Sequence, residues 1–140
     1  MTVSETPNCL NSAAPLILVV DDDPFMREIT RIHLEGSGFS VALAETANEG
    51  LEKVRALRPA AVVMDFAMPG GSGADALRTL RAEAGIAATP VVMVTAWSSE
   101  ESRREATRMG ARWLQKPVTG ETLLDVVREM VDASLRADMT

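Results

Sequence analysis

The chain has 140 residues, a length that fits one domain built around one hydrophobic core. Hydrophobic residues make up 46% and charged residues 24%, which argues against a disordered or fibrous protein. The 14 basic and 20 acidic residues give a net charge of −6, and the sequence contains no long Lys/Arg run. Direct binding to nucleic acid is therefore not expected.

The two ends of the chain differ in composition from the rest. Residues 1–15 predict a polar tail without Lys, Arg or an apolar stretch, so they do not resemble a signal peptide, and residues 137–140 form a short polar end. Cys9 is the only cysteine, which excludes an intramolecular disulfide. No aliphatic run is long enough to span a bilayer. We expect one domain over residues 16–136, with no membrane attachment and a cytoplasmic location.

Short apolar runs alternate with segments of helical periodicity along the domain. In chain order the pattern predicts strand 16–20, helix 24–36, strand 40–44, a helix over 47–57 capped by Thr46, strand 60–64, a helix carrying Leu77 and Leu80, strand 91–94, helix 99–109, strand 113–115 and helix 119–135. Four of the five strands are nearly continuous apolar runs, which are typical of strands buried on both faces. The sequence therefore predicts a doubly wound α/β sandwich with a parallel sheet covered by helices.

Polar residues follow four of the predicted strands, and the carboxyl ends of parallel strands share one edge, where ligands bind. Asp21–Asp23 follow the first strand, Asp65 the third, Thr95 the fourth and Lys116 the fifth. Crowded carboxylates raise each other's pKa unless a cation neutralises them. Oxygen ligands without a nearby His or Cys favour Mg²⁺. Lys116 and Thr95 could bind an anion beside the metal, and phosphate is the expected one.

Four segments carry a family resemblance. They are LVVDDDPFMREI (18–29), VVMDFAMPGGSG (62–73), MVTAW (93–97) and GARWLQKP (110–117). In order and spacing they resemble the receiver domains of two-component response regulators, including single-domain chemotaxis regulators, over about residues 16–136. The resemblance implies a flavodoxin-like (βα)5 fold with strand order 2-1-3-4-5. It also implies a phosphorylation-activated signalling domain that catalyses only its own phosphorylation and dephosphorylation.

The resemblance also assigns roles at the sheet edge. Asp65 would be the phosphoacceptor, taking a phosphoryl group from a sensor histidine kinase or a histidine phosphotransfer protein. Asp22 and Asp65 would bind Mg²⁺, or Mn²⁺, together with the backbone carbonyl of Ala67. Asp21 would act mainly through a metal-bound water.

Four further residues would serve the phosphoryl group and the switch. Lys116 would stabilise charge on the phosphoryl group. Thr95 would move to hydrogen-bond it, and Trp113 would turn inward behind Thr95. Pro117 matches the family's cis-peptide position, which would direct Lys116 into the site.

Three positions depart from the commoner family pattern. Trp113 stands where Tyr or Phe is usual, so a complete inward rotation is expected to be hindered. Ala67 and Trp97 are apolar where members that lose phosphate quickly tend to have polar groups able to orient water. We hypothesise slow self-dephosphorylation, and a phosphoryl half-life of only seconds in the isolated protein would refute it.

Some of the same residues also fit other interpretations. His33 is expected to have a structural role, because it is predicted in mid-helix and away from the sheet edge. Asp21-x-Asp23 after an apolar strand imitates the nucleophile motif of haloacid-dehalogenase-type phosphatases, but the acidic pair that this family needs beyond its lysine is not evident after Lys116. A receiver-like module that is never phosphorylated is disfavoured, because every expected polar position is filled.

The sequence does not decide how the signal passes from this domain to its downstream target. Only four residues follow Arg136, so we expect the signal to leave through a protein contact on helix 99–109, strand 113–115 and helix 119–135. The arginines of this region would also suit a salt-bridged, solvated helix. The chain is either a single-domain regulator, which the initial Met favours, or a receiver domain excised from a larger multidomain regulator or hybrid kinase. A monomer or a phosphorylation-dependent dimer is expected.

Overall fold

The computed structural model describes residues 14–66, 73–96 and 99–138, with side chains described as far as Ser134. Strands and helices alternate strictly along these residues. The strands are β1 (Leu16–Val20), β2 (Ser40–Ala44), β3 (Ala61–Asp65), β4 (Val91–Thr95) and β5 (Arg112–Gln115). The helices are α1 (Pro24–Glu35), α2 (Ala47–Leu57), α3 (Gly73–Ala82), α4 (Glu100–Arg108) and α5 (Gly120–Asp138). Every predicted element is present, although β3 begins and ends one residue later than predicted and α5 extends three residues further.

The five strands form one parallel sheet in the order β2-β1-β3-β4-β5. The predicted doubly wound sandwich and its strand order 2-1-3-4-5 are therefore confirmed. The order reverses between β1 and β3, which pair with Val20 opposite Met64. In such sheets a crevice forms at the carboxyl ends of the strands where the order reverses. We therefore expect a ligand-binding site at this edge.

Local capping explains where the helices begin. The Asp23 carboxylate accepts a hydrogen bond of 3.0 Å from the Phe25 N–H at the start of α1, and Pro24 occupies the first turn. Thr46 caps α2 as predicted, because its hydroxyl accepts from the Glu49 N–H at 3.1 Å. The first strand thus turns directly into α1 through three aspartates, the last of which is used as a cap.

Alternating strand residues divide the core into two layers. Leu18 and Val20 face a layer that includes buried residues of α2, α3 and α4, whereas Ile17 and Val19 face a layer that includes Leu34 of α1 and the buried face of α5. Both faces of the sheet are therefore covered, as the unbroken apolar strands predict. In the described part of the chain, no helix has the length and apolar character needed to cross a membrane.

We expect Leu80→Ala to lower the free energy of unfolding by about 2–5 kcal/mol, because it removes a fully buried side chain and leaves a cavity. Leu57→Ala is the matched control: Leu57 is 45% exposed, so its truncation should cost less than about 1 kcal/mol. Urea unfolding measures both changes, and equal losses for the two variants would contradict the assigned core.

Candidate functional site

The sheet edge at the carboxyl ends of the strands brings the predicted polar residues together. Asp21 follows β1, Asp65 ends β3, Thr95 ends β4 and Lys116 follows β5. Asp21, Asp22 and Asp65 each offer a carboxylate oxygen, and these oxygens lie within 4.8 Å of one another. The Lys116 Nζ lies 3.6 Å from Asp65 Oδ2. Residues far apart in the sequence thus form one acidic cluster beside one ammonium group.

Backbone hydrogen bonds continue the sheet beyond its strands and fix these residues. The Asp21 N–H donates to the Ala44 carbonyl at 3.1 Å, and the Lys116 N–H donates to the Thr95 carbonyl at 2.7 Å. The Asp21 carboxylate also accepts from the Asp23 N–H at 2.9 Å. The positions of the site residues are therefore set by the sheet rather than by free loops.

Arg27 is a supporting residue that the sequence analysis missed. Its half-buried side chain donates from Nη1 to the backbone carbonyl of Asp21 at 2.7 Å and pairs with Glu45 at 3.5 Å. Arg27 lies one helical turn after the Asp23 cap. This spacing is the signal in the sequence that could have indicated its position near the site. It holds the backbone of Asp21 from the first turn of α1.

Burial and the two neighbouring carboxylates both raise the pKa of Asp21. The residue is 8% exposed, and burial is the main cause that raises the pKa of its carboxyl group above the ordinary value. The hydrogen bond from the Asp23 N–H opposes this effect, and the charges of Asp65 and Asp22 add to it, while Lys116 lowers the pKa. Ionisation of Asp21 is therefore less favourable here than for a free carboxyl group, and a further positive charge would favour it.

The acidic cluster has the chemistry of a site for a small, hard cation. Three carboxylates from two strand ends provide oxygen ligands of the kind that Mg²⁺ takes, and Asp22 is exposed, so water can complete the coordination. A divalent cation would also offset the burial and the neighbouring carboxylate charges that together raise the pKa of Asp21. The residues present therefore fit the expected metal.

Thr95 and Trp113 lie on the opposite side of the sheet edge from the carboxylates. Thr95 is fully buried, and Trp113 is half-buried on the neighbouring strand β5. The Trp113 ring meets Phe66, the residue after Asp65, edge-to-face at a centroid distance of 5.0 Å and an angle of 63°. The large indole is therefore accommodated against the core.

The Trp113 indole N–H has no acceptor in the described part of the chain, although Nε1 is buried. A buried donor without a partner costs about 1–3 kcal/mol. The ring of Trp113 is thus packed against Phe66, whereas its N–H is buried without an acceptor among the described residues. A Phe at the same position would keep a packed ring and would have no unpaired N–H.

Other predicted site positions have mixed outcomes. The Lys116–Pro117 peptide bond is cis, as the resemblance implies. Ala67 and Trp97 lie outside the described residues, so the metal role of the Ala67 carbonyl and the effect of both residues on dephosphorylation stay predictions.

The expected place of His33 needs correction. It lies in the last turn of α1 rather than in mid-helix, and it lines a cavity of about 470 Å³ that Asp65 and Lys116 also line. A side chain at Gly120 could not be accommodated, because its Cβ would lie 2.7 Å from His33 Nδ1. The spacing of Met26, Thr30 and His33 was the available signal, since these positions share one helix face.

We expect Asp21→Asn to stabilise the metal-free protein at pH 7. Because the folded-state pKa of Asp21 is raised, the native protein binds more protons than the unfolded chain between the two pKa values, and stability falls as pH rises through that window. The amide oxygen of Asn can still accept from the Asp23 N–H. The difference should vanish below about pH 3, where the aspartic acid is neutral in both the folded and the unfolded state, and a stability gain that is equally large there would contradict the electrostatic cause.

We expect Trp113→Phe to change the free energy of unfolding by less than about 1 kcal/mol, because the lost ring area is offset by removal of an unpaired N–H. Trp113→Ala should cost about 2–4 kcal/mol, since it also removes the contact with Phe66. Denaturant unfolding at one pH measures the free energy of unfolding of both variants. Equal decreases for the two would show that the unpaired N–H does not destabilise the protein.

Comparisons with known proteins agree with this geometry. The family model described as response regulator receiver domain matches residues 17–128. PilH from Pseudomonas aeruginosa is 39% identical over 117 residues, which cover 82% of this chain and 96% of PilH. The DNA-binding response regulator MtrA from Mycolicibacterium smegmatis is 46% identical over 80 residues, but the match covers 57% of this chain and only 34% of MtrA. The chain thus spans about a third of MtrA and almost all of PilH.

Solved structures give the same result. Chemotaxis protein CheY4 from Vibrio cholerae is 30% identical, with a TM-score of 0.78 over 84% of this chain and 99% of CheY4. A CheY-like receiver domain protein from Methanospirillum hungatei is 29% identical, with a TM-score of 0.81 over 89% of this chain and 99% of that one. Such domains serve in phosphorylation-activated signalling rather than as classical enzymes. This chain belongs to the response regulator receiver domain family.

Proposed function

We propose that Asp65 accepts a phosphoryl group from a phosphohistidine on a sensor histidine kinase or a histidine phosphotransfer protein, with Mg²⁺ bound by Asp22 and Asp65 directly and by Asp21 mainly through a metal-bound water. The observation that carries this proposal is the meeting of three carboxylates and one lysine at the sheet edge. The Ala67 carbonyl is proposed as a further metal ligand, and Mn²⁺ as a substitute for Mg²⁺. The proposal places the reaction in the cytoplasm, where the kinase domains of such systems are expected.

The chemistry follows from the position of Asp65. One oxygen of its carboxylate attacks the phosphorus atom in line with the departing imidazole nitrogen, the P–N bond breaks, and the product is an acyl phosphate. The partner histidine keeps the electron pair of the broken bond and is then protonated. Lys116, 3.6 Å from Asp65 Oδ2, is placed to pair with a phosphoryl oxygen. When bound, Mg²⁺ would supply positive charge to offset that of the phosphoryl oxygens and the carboxylates.

The proposed switch uses the opposite side of the sheet edge. Thr95 is buried beside the phosphoacceptor strand, and Phe66 connects Asp65 to the Trp113 ring. A new hydrogen bond from the Thr95 hydroxyl to the phosphoryl group would change what surrounds Trp113. We propose that the change is passed to a downstream protein through the surface of α4, β5 and α5.

Ion pairs occupy part of that output surface. Arg103 and Arg104 both pair with Glu100, and Arg112 pairs with Glu129 across β5 and α5 at 2.8 Å. The salt-bridged interpretation of these arginines is therefore supported, and it is compatible with partner binding because exposed pairs contribute little to stability. Whether the protein is a monomer or a phosphorylation-dependent dimer stays a prediction.

The phosphatase alternative is weakened by one contact. In that reading Asp23 would be the second acid of the motif, but its carboxylate caps α1 by accepting from the Phe25 N–H. A side chain used as a helix cap is poorly placed to act as a general acid.

Mapping of a trapped phosphoryl group tests the proposed site. The protein is incubated with Mg²⁺ and acetyl phosphate, the acyl phosphate is reduced with borohydride, and the modified residue is identified by mass spectrometry. We expect modification at Asp65 and none in Asp65→Asn. Modification at Asp21 would instead support the phosphatase reading, and modification at neither residue would overturn the proposal.

Phe25 is expected to contact the phosphoryl donor, because it is 70% exposed and lies in the first turn of α1, two residues after the last of the three aspartates. Phe25→Ala should slow phosphotransfer from the phosphorylated partner by about tenfold or more, and leave phosphorylation by acetyl phosphate unchanged. Leu57→Ala, which also removes an exposed apolar side chain, is the control and should leave both rates unchanged. Equal slowing with both donors would show that Phe25 shapes the site instead.

A further inference from the structure

A second cavity, of about 410 Å³, lies at the opposite edge of the sheet from Asp65. Its wall contains Val91 at the start of β4, Arg112 at the start of β5, and Met130 on α5. This volume falls within the range of about 300–1,000 Å³ that is usual for small-molecule sites. Nothing in the phosphorylation chemistry uses this edge of the sheet.

Arg81, in the last turn of α3, lines the cavity and is half-buried. Its Nε donates to the Met109 carbonyl at 2.7 Å, and its Nη1 donates to the carbonyls of Ala87 at 3.0 Å and Thr89 at 2.6 Å. Arg81 therefore joins the loop before β4 to the end of α4. Within the described ranges, Nη2 has no acceptor and no carboxylate lies within ion-pair distance of the guanidinium.

The positive charge of Arg81 is consequently not neutralised. Carbonyl oxygens satisfy N–H donors but carry no net charge, and burial lowers the pKa of Arg81 because it disfavours the cation. An arginine nevertheless stays protonated at neutral pH. A half-buried cation of this kind is stabilised by an anion that approaches from the open side of the cavity.

The charge balance of the cavity is positive because of Arg81, since the second arginine in its wall has an acidic partner. Arg112 is neutralised by Glu129 at 2.8 Å, so the two arginines and one glutamate that line the cavity leave one positive charge. The whole chain carries −6, so this cavity differs in sign from the rest of the protein. Charge complementarity therefore selects an anion rather than a cation or a neutral molecule.

The rest of the cavity wall is mainly apolar, so the ligand is expected to have an apolar part beside its charged group. Pro90, Val91 and Met130 supply apolar surface, and Ser134 adds one hydroxyl. We propose that this cavity binds a small organic anion, with its carboxylate or phosphate paired to Arg81 and Arg112 and its short apolar part against Pro90 and Met130. The site is separate from the phosphoacceptor, so it does not rest on the function proposed above.

Titration of the full chain with butyrate, followed by backbone amide NMR, tests this site. We expect saturable shifts at Ala88, Gly110 and Ser134, and much smaller ones with the neutral analogue butyramide. These shifts should persist in Lys116→Met, which removes the cation at the other edge. Shifts confined to the Lys116 edge, equal shifts with butyramide, or no saturable shift at the cavity would each overturn the proposal.

Variants of residues that line the cavity distinguish binding in the cavity from non-specific electrostatic attraction of the anion to the protein surface. Arg112→Gln should weaken butyrate binding at least about fivefold, because it removes one cation and leaves the Glu129 carboxylate of the cavity wall without its partner, while Arg81 keeps its carbonyl contacts. Ala133→Phe should abolish binding by filling the exposed mouth of the cavity. Arg108→Gln removes the same charge from an exposed position on α4 that does not line the cavity, and should change the affinity less than about twofold. Equal effects of the two arginine variants would overturn the proposal.

Discussion

Repulsion among three carboxylates held at one sheet edge is the constraint on which the rest of this receiver domain depends. The parallel sheet brings Asp21 and Asp65 to neighbouring strand ends, and Asp22 adds a third oxygen ligand within 4.8 Å of the others. Lys116 is the ammonium group that faces them, and its contact with Asp65 is loose at 3.6 Å. Burial is the main cause that raises the pKa of Asp21, and the charges of Asp65 and Asp22 add to it, so a divalent cation and then a phosphoryl group would change the charge balance of this cluster in turn.

The fold keeps this arrangement in place by making its polar residues part of the sheet. Apolar strands are fixed between two helical layers, so the backbone that carries the carboxylates cannot relax away from them. Asp23 caps α1 with its carboxylate and is not part of the cluster. Arg27 of the same helix donates a hydrogen bond to the Asp21 carbonyl. The repulsion among the carboxylates is thus opposed by packing of the whole domain.

Periodicity predicted the fold and much of the site, because both depend on where apolar strands end. Unbroken apolar runs indicated a parallel sheet, and the topology of such sheets then placed Asp21, Asp65, Thr95 and Lys116 at one edge. Features that depend on tertiary contacts were not predictable. The spacing of His33 was a signal for its helix face, but its approach to Gly120 depends on how α1 packs against α5. Arg81 is held by the carbonyls of Ala87 and Thr89 in the loop before β4 and by that of Met109 at the end of α4. The N–H of Trp113 is buried where its ring packs against Phe66.

The dependence of stability on Mg²⁺ tests the central claim most directly. At pH 7 and constant ionic strength, the free energy of unfolding should rise with Mg²⁺ concentration by about 1.4 kcal/mol per tenfold increase above the dissociation constant, because the cation binds the folded carboxylate cluster and not the unfolded chain. Asp65→Asn should reduce this dependence strongly. A free energy that does not change with Mg²⁺, or one that rises equally in Asp65→Asn, would contradict the account.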